Sequence, residues 1–216
     1  MPRRVLHMSD ETDRVRAIQD KLAPSYDRSM DIFERLLFKG ARGWACGQLK
    51  GDVLEVAIGT GRNIALYPPD VRVTGVELSE GMLARARQRA HELGRSADLG
   101  LGDAHDLPFA DASFDTVLIT FGLCTISDER RALTEAFRVL RPGARLVAVE
   151  HVRSPVGAVR AVQRLLDPLA VRYAADHLTR EPLDHLGPVG FQIDTVQRLS
   201  LGIAERVSAR KPAGGA

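Results

Sequence analysis

The run Val53–Asn63, V-L-E-V-A-I-G-T-G-R-N, limits what this chain can become more than any other stretch. Val53 to Ile58 carries β-branched or apolar residues on both faces, as a strand in the middle of a parallel sheet requires. Gly59 and Gly61 then remove side chains where the backbone must turn sharply and let a ligand approach. A helix beginning near Asn63 is expected to aim its free N–H groups and positive dipole end at that ligand. Many nucleotide folds use such a turn, so its meaning depends on the residues downstream of it.

Downstream, strands and helices alternate. After a short helix near Asn63–Leu66, strand Val71–Val76 leads through Ser79, a good N-cap, into a helix over Glu80–Leu93 that stops at Gly94. Short strand Ala97–Leu101 and strong strand Phe114–Thr120 come next. A helix over Asp128–Leu140, ended by Arg141-Pro142-Gly143, precedes strand Arg145–Glu150. This order implies a parallel sheet with right-handed crossovers and helices on both faces.

The flanks read differently. Ser9 or Asp10 caps a helix running to about Ala23, where Pro24 stops it, and residues 1–8 are expected to be loose. A second helix, about Ser29–Leu49, is made irregular by Gly40, Gly43 and Gly47, and its Phe33, Phe38 and Trp44 are expected to pack on the sheet. Val156–Ala175 reads as a long apolar helix broken at Pro168, and Thr179–Leu186 as a short one. Phe191–Leu199 and Gly202–Ala209 read as closing strands whose link is too short for a crossover, so they pair antiparallel. The chain of 216 residues is expected to be one domain: a helical cap over 1–50, a ligand-binding core over 51–152, and a substrate-side helix with a closing hairpin over 153–216.

Composition excludes little. A net charge of +2 does not call for nucleic acid, and a basic set that is almost all arginine follows from genome composition. Cys46 and Cys124 lie far apart and match no metal spacing, so no metal is expected and a reduced, cytoplasmic setting fits. The first residues lack the apolar core of a secretory signal, and no run reaches the roughly 18 apolar residues of a spanning helix. Contact with a membrane surface stays open.

The chemistry gathers at the ends of the first four strands. These tips are Gly59-Thr60-Gly61, Glu77, Asp103-Ala104 and Thr120-Phe121-Gly122. In an open parallel sheet they lie side by side on the carboxyl edge, where ligands bind. Glu77 can accept bonds from two ribose hydroxyls. Asp103 can accept one from an adenine amino group, while the Ala104 N–H serves a ring nitrogen. The glycine turn meets an amino-acid tail, whose ammonium Glu55 can orient. Thr60, Asn63, Leu78, Met82 and Thr120 complete the candidate cofactor set. S-adenosylmethionine has all of these parts.

The sequence also resembles a family, the class I S-adenosylmethionine-dependent methyltransferases, over about Tyr26–Val152. The resemblance rests on the glycine-turn run, on V-T-G-V-E-L-S-E-G-M-L, on G-D-A-H-D-L-P-F-A-D-A-S-F-D-T-V and on R-V-L-R-P-G-A-R-L-V-A-V-E-H. It is similar to the branch holding ubiquinone/menaquinone C-methyltransferases and bacterial phosphatidylethanolamine N-methyltransferases. Y-P-P-D-V-R-V-T-G-V-E and L-C-T-I-S-D are similar to small thiol S-methyltransferases. The family implies a Rossmann-like, doubly wound sheet of seven strands with an antiparallel last strand. One departure stands out: the family turn reads E-x-G-x-G-x-G, and Ala57 replaces its first glycine, narrowing the approach to the methionine part.

Methyl transfer from a sulfonium needs an oriented acceptor more than a base. His151, just after strand Arg145–Glu150, is a candidate base or acceptor-orienting group, and Tyr26 a candidate lid residue. Asp128 reads as a helix N-terminal acid, His177 as a cap for the following helix, and His105 as a surface or lid residue. The acceptor pocket is expected from the first two helices, Phe121–Ile126 and the segment Val156–Tyr173. Their apolar character favours a small lipophilic molecule: a thiol, phospholipid amine, quinone or phenol. Two alternatives are a methyltransferase-like module that binds without transferring, and a nicotinamide dehydrogenase. The latter is disfavoured because Gly59-Thr60-Gly61-Arg62-Asn63-Ile64 lacks the third glycine of G-x-G-x-x-G.

Overall fold

The computed structural model describes residues 10–38 and 40–214. Residues 1–8 and the Ser9 cap lie outside the described residues. Helices α1 (Asp10–Leu22), α2 (Tyr26–Leu36) and α3 (Ala41–Cys46) precede strand β1 (Asp52–Val56). Then come β2 (Arg72–Glu77), α4 (Glu80–Glu92), β3 (Asp98–Leu101), β4 (Phe114–Thr120), α5 (Glu129–Val139) and β5 (Leu140–His151). Helices α6 (Gly157–Ala174) and α7 (Leu183–Val189) lead to the hairpin β6 (Gln192–Leu199) and β7 (Ala204–Arg210).

All seven strands form one sheet in the order β3-β2-β1-β4-β5-β7-β6. Strands β1 to β5 pair in parallel, and β7 runs antiparallel to both neighbours. The strand order reverses between β1 and β4, which is where an open α/β sheet leaves a crevice. Period-two alternation divides the core between two faces. Leu54, Val56, Val117, Ile119 and Leu146 pack with Leu133 and Ala136 of α5 and Leu186 of α7. Val53, Val73, Leu118 and Val147 pack with Ala45 of α3 and Ala86 and Ala90 of α4.

Three elements and one side chain depart from the sequence expectation. The helix expected over Ser29–Leu49 is two helices, α2 and α3, divided at Gly40, whose φ of 72° only glycine takes without strain. Phe38 is buried against Phe121 as expected, but Phe33 is exposed. Helix α6 runs unbroken through Pro168, which lies on its exposed flank, where water can replace the lost bond. The glycine turn opens only into a single 3-10 turn, Ile64–Leu66, so no long helix dipole points into the crevice.

Candidate functional site

A cavity of about 700 Å³, counted to its open mouth, lies over the carboxyl ends of β1, β2 and β4. Thr12, Val15 and Gln19 of α1 and Tyr26 of α2 roof it. Of the sequence-predicted residues, Tyr26, Gly59, Glu77, Leu78, Met82, Asp103 and Ala104 line it, together with Ala57.

Glu77 ends β2 and is buried. Its Oε2 accepts the Gly59 N–H at 2.9 Å, and its Oε1 accepts the Ser79 N–H at 2.9 Å. Burial pushes its carboxyl above the ordinary value, and the backbone donors of Ser79, Gly59 and Leu78 oppose this. Each oxygen keeps a lone pair for a ligand hydroxyl. Ser79 caps α4 as expected, accepting the Met82 N–H at 3.0 Å, which fixes Met82 against the cavity.

Asp103 stands on the neighbouring strand end, since Gly102 donates its N–H to the Glu77 carbonyl at 3.0 Å. His105 corrects the expectation of a surface residue: it is buried, with Nδ1 at 2.6 Å from Asp103 Oδ1. The His105 N–H also donates to Oδ1, and the ring Nε2 accepts the Asp128 N–H at 3.1 Å. An acceptor at Nε2 assigns the ring proton to Nδ1, so the imidazole donates to Asp103. Burial raises the Asp103 carboxyl, but the His105 bonds and the Arg131 charge carry it below the ordinary value. Asp103 Oδ2 has no partner among the described residues, which leaves it for an exocyclic amine. Asp128 caps α5, as expected, through the Arg131 N–H at 2.9 Å.

The two turn glycines do different work. A Cβ on Gly59 would meet nothing within 4 Å, so this glycine serves its φ of 60° and leaves open space above the turn. A Cβ on Gly61 would meet Ile64 at 2.6 Å and Ala86 of α4 at 3.1 Å, so its absence lets the turn seat on α4. Ala57 holds a left-handed φ of 54°, a conformation that favours glycine, with a methyl in place of hydrogen. That methyl packs against Gly122, where an added Cβ would come within 3.0 Å of it.

Five predicted residues, in or beneath the turn, do not line the cavity. Glu55 is fully buried and does not face an ammonium: Asn63 donates to its Oε1 at 2.8 Å, and the Tyr67 hydroxyl donates to Oε2. Burial pushes its carboxyl up to about 7 against these bonds and the Arg42 charge. Asn63 also donates to Thr120 Oγ1 at 2.9 Å, and Arg42 donates to the same oxygen at 2.8 Å. Thr60 donates to Asp27 at 2.6 Å, and Gly61 faces α4. Arg62 grips Asp31 at 2.7 Å and Glu34 at 3.1 Å, which clamps α2 onto the turn.

His151 lies outside the cavity lining. Its Nε2 is 2.7 Å from Asp176 Oδ1, and its buried Nδ1 has no partner among the described residues. Burial alone lowers the imidazole; the Asp176 carboxylate outweighs it, and the net direction is up. Cys124, His151 and Asp176 bring their ligand-type atoms within 4.8 Å of one another, a grouping the cysteine spacing did not announce. The Tyr26 phenol is pushed up by burial, against Arg42 and with Cys124, Asp176 and Glu77, so it keeps its proton. It can donate a hydrogen bond but not act as a phenolate. His177 caps no helix: its N–H bonds the Cys124 carbonyl at 3.1 Å, and α7 starts only at Leu183. Segment Phe121–Ile126 lines the cavity through Phe121, Gly122, Thr125 and Ile126, but no residue of α6 does. His105 and Asp176 escaped the sequence reading because their roles exist only through tertiary contacts.

A crevice at a strand-order reversal, with a glycine turn and acids ending β2 and following β3, defines the class I S-adenosylmethionine-dependent methyltransferase fold. Comparison with known proteins agrees. Residues 54–148 match the model of a methyltransferase domain. The chain is 38% identical over 180 residues to the demethylmenaquinone methyltransferase of Beutenbergia cavernae, covering 79% of this chain and 72% of that one. It is 40% identical over 118 residues to the phosphatidylethanolamine N-methyltransferase of Cereibacter sphaeroides, covering 54% of this chain but only 58% of that relative's length. An S-adenosylmethionine-dependent methyltransferase structure from Thermotoga maritima superposes with a TM-score of 0.70 at 24% identity, covering 90% of this chain and 99% of that one, a likeness of fold. The chain belongs to the S-adenosylmethionine-dependent methyltransferase family. The family's cofactor fits the cavity: Asp103 Oδ2 is unclaimed among the described residues, and the space above Gly59 is open.

Proposed function

We propose that this chain transfers a methyl group from S-adenosylmethionine to a small lipophilic acceptor. The observation that carries the reading is the placing of Glu77 and Asp103 on adjacent strand ends, both lining one open cavity. When bound, the sulfonium supplies an already activated methyl group. The protein's part is therefore to bind, orient and exclude water. Glu77 accepts the ribose hydroxyls, Asp103 Oδ2 the adenine amine, and the Ala104 N–H serves the ring. Leu78 and Met82 flank the adenine. Gly59 admits the methionine end, with Thr60 and Gly61 fixing the turn on its neighbours and Glu55, Asn63 and Thr120 supporting it from below. Residues 51–152 thus serve as the cofactor core, and α1 with Tyr26 as its roof.

The apolar lining favours the lipophilic acceptor: Val15, Phe121 and Ile126 share the cavity with few charges. Thiol, phospholipid amine, quinone and phenol all suit it, and the relatives' names point to quinone and phospholipid amine. Tyr26 orients the acceptor through its retained hydroxyl proton. His151, held by Asp176 just outside the lining, takes the acceptor proton through a bridging water where the chemistry releases one. Calorimetry tests the cofactor site: Glu77→Ala weakens S-adenosylmethionine by about 1.5–3 kcal/mol, the worth of bonds to a charged group. Unchanged affinity in a folded variant would remove the ribose role. A screen of lipid, thiol, phenol and amine acceptors tests transfer, and binding without turnover on all of them would make the chain a binding module.

A further inference from the structure

Helix α6 is built the wrong way round for a helix that covers a core. Its polar residues Gln163 and Asp167 face the protein. Gln163 donates to the Val152 and Leu178 carbonyls at 2.8 and 3.0 Å and accepts the Ser154 N–H at 2.8 Å. Asp167 accepts the Leu178 N–H at 2.7 Å. Its apolar residues face out: Val162, Leu165, Leu166, Leu169 and Tyr173 form one stripe at helical spacing, with Leu165 76% and Tyr173 64% exposed. No residue of α6 is buried.

The stripe does not stand alone. The turn before β7 presents Leu201, 69% exposed, from two successive non-glycine residues in the left-handed region, Ser200 at φ 51° and Leu201 at φ 58°. That strained backbone is pinned at both ends. Ser200 Oγ donates to the Leu37 carbonyl at the end of α2, and Ser154 Oγ donates to the Leu201 carbonyl at 2.6 Å just before α6. Leu36, 75% exposed, adjoins the first pin, and exposed Val156 adjoins the second. Three elements thus hold apolar side chains out from one edge of the sheet, a feature that needs a cause.

We infer that this edge docks on a lipid surface carrying anionic headgroups. Charge decides the occupant. Arg172 is exposed on the flank of the stripe with no acidic partner among the described residues, and its guanidinium lies 5.7 Å from the Tyr173 ring centre. An apolar stripe bordered by arginine and an amphipathic tyrosine is the pattern of a helix lying in a membrane interface. A second copy docked by a two-fold axis on this stripe would put the Arg172 of each copy into one interface with no acidic partner, whereas anionic headgroups neutralise it. No helix of the described residues is long and apolar enough to cross a membrane, so the contact is at the surface. The edge adjoins the cavity roof, because Gln19 of α1 both lines the cavity and donates to the Ala174 carbonyl ending α6 at 3.2 Å. The inference does not depend on which acceptor is methylated.

Sedimentation with phosphatidylcholine vesicles, with and without phosphatidylglycerol, tests it. The full chain co-sediments with the phosphatidylglycerol vesicles, and binding weakens with added salt. The double variant Leu165→Ser, Leu169→Ser lowers vesicle partitioning by about tenfold or more, and Arg172→Glu lowers the phosphatidylglycerol preference. Both retain the wild-type S-adenosylmethionine affinity by calorimetry, which separates docking from cofactor binding and shows that the variants fold. Failure to bind either vesicle, or binding indifferent to the serine pair, overturns the inference. So does a dimer in analytical ultracentrifugation that the serine pair dissociates while vesicles stay unbound.

Discussion

His105 Nδ1 lies 2.6 Å from Asp103 Oδ1, and this contact decides which carboxylate oxygen faces the cavity. The His105 ring is held on its far side by the Asp128 N–H, so it is a fixed donor and Asp103 cannot swing freely. His105→Ala should therefore weaken S-adenosylmethionine by about 5- to 10-fold, on the order of 1–1.5 kcal/mol, through loss of orientation. His105→Asn, which can offer an amide N–H toward Asp103, should recover part of that loss. Equal affinities for all three proteins by calorimetry would show that Asp103 needs no such support.

The turn glycines should separate in mutagenesis. Gly61→Ala forces a methyl against Ala86 and Ile64 in a left-handed backbone. It should cost about 3 kcal/mol or more, as strain and overpacking add. Gly59→Ala meets no atom and should cost only the backbone strain, about 1–2 kcal/mol, yet lose more cofactor affinity because its methyl enters the ligand space. Urea unfolding and calorimetry on both variants check the crossing of the two orders.

These cases show what the sequence made legible. The strand ends carrying Gly59, Glu77 and Asp103 could be read directly, because a residue at the end of a parallel strand is placed by local pattern and topology alone. Phe114–Thr120 emerges with its expected bounds for the same reason. His105 and Asp176 could not be read, since each acts only through a partner brought near by folding. Glu55 shows the converse: its place on β1 was legible, but Tyr67 and Asn63 hold it out of the cavity lining. Helix α6 shows a further limit. Its apolar spacing was visible, but periodicity fixes a stripe on the helix and not which side meets the protein.

Stability should fall as pH rises from about 5 to 7.5. Burial holds the Glu55 carboxyl up at about 7, and the Glu150 carboxyl likewise, against an ordinary value of 4.5. The folded state therefore keeps protons that the unfolded chain releases, and the stabilisation, full below 4.5, is lost as pH climbs through about 7. At about 1.4 kcal/mol per pH unit, each carboxyl contributes at most about 3.5 kcal/mol. Asp27, Asp115 and Asp176 are held below the ordinary range, so their stabilisation is lost only at lower pH, and the optimum should fall near pH ~5. Glu55→Gln, whose amide can keep both bonds, should flatten part of the slope in denaturant midpoints across this range.

The His151–Asp176 pair predicts a movement in the pH–rate profile once an acceptor is found whose proton His151 removes. Burial lowers the His151 imidazole, while the Asp176 carboxylate raises it, with Glu150 adding to the rise and Arg180 opposing. A base must be neutral to act, so kcat/KM should climb through a folded pKa above the ordinary 6.5. Asp176→Asn removes the largest upward influence and leaves burial in control, so the acidic limb should shift to lower pH. His151→Gln should abolish the limb. A structural pair would lower thermal stability in Asp176→Asn but leave the limb where it was. An unmoved limb in a folded variant therefore rejects His151 as the base, and transfer would then proceed by orientation from Tyr26 and the cavity walls alone.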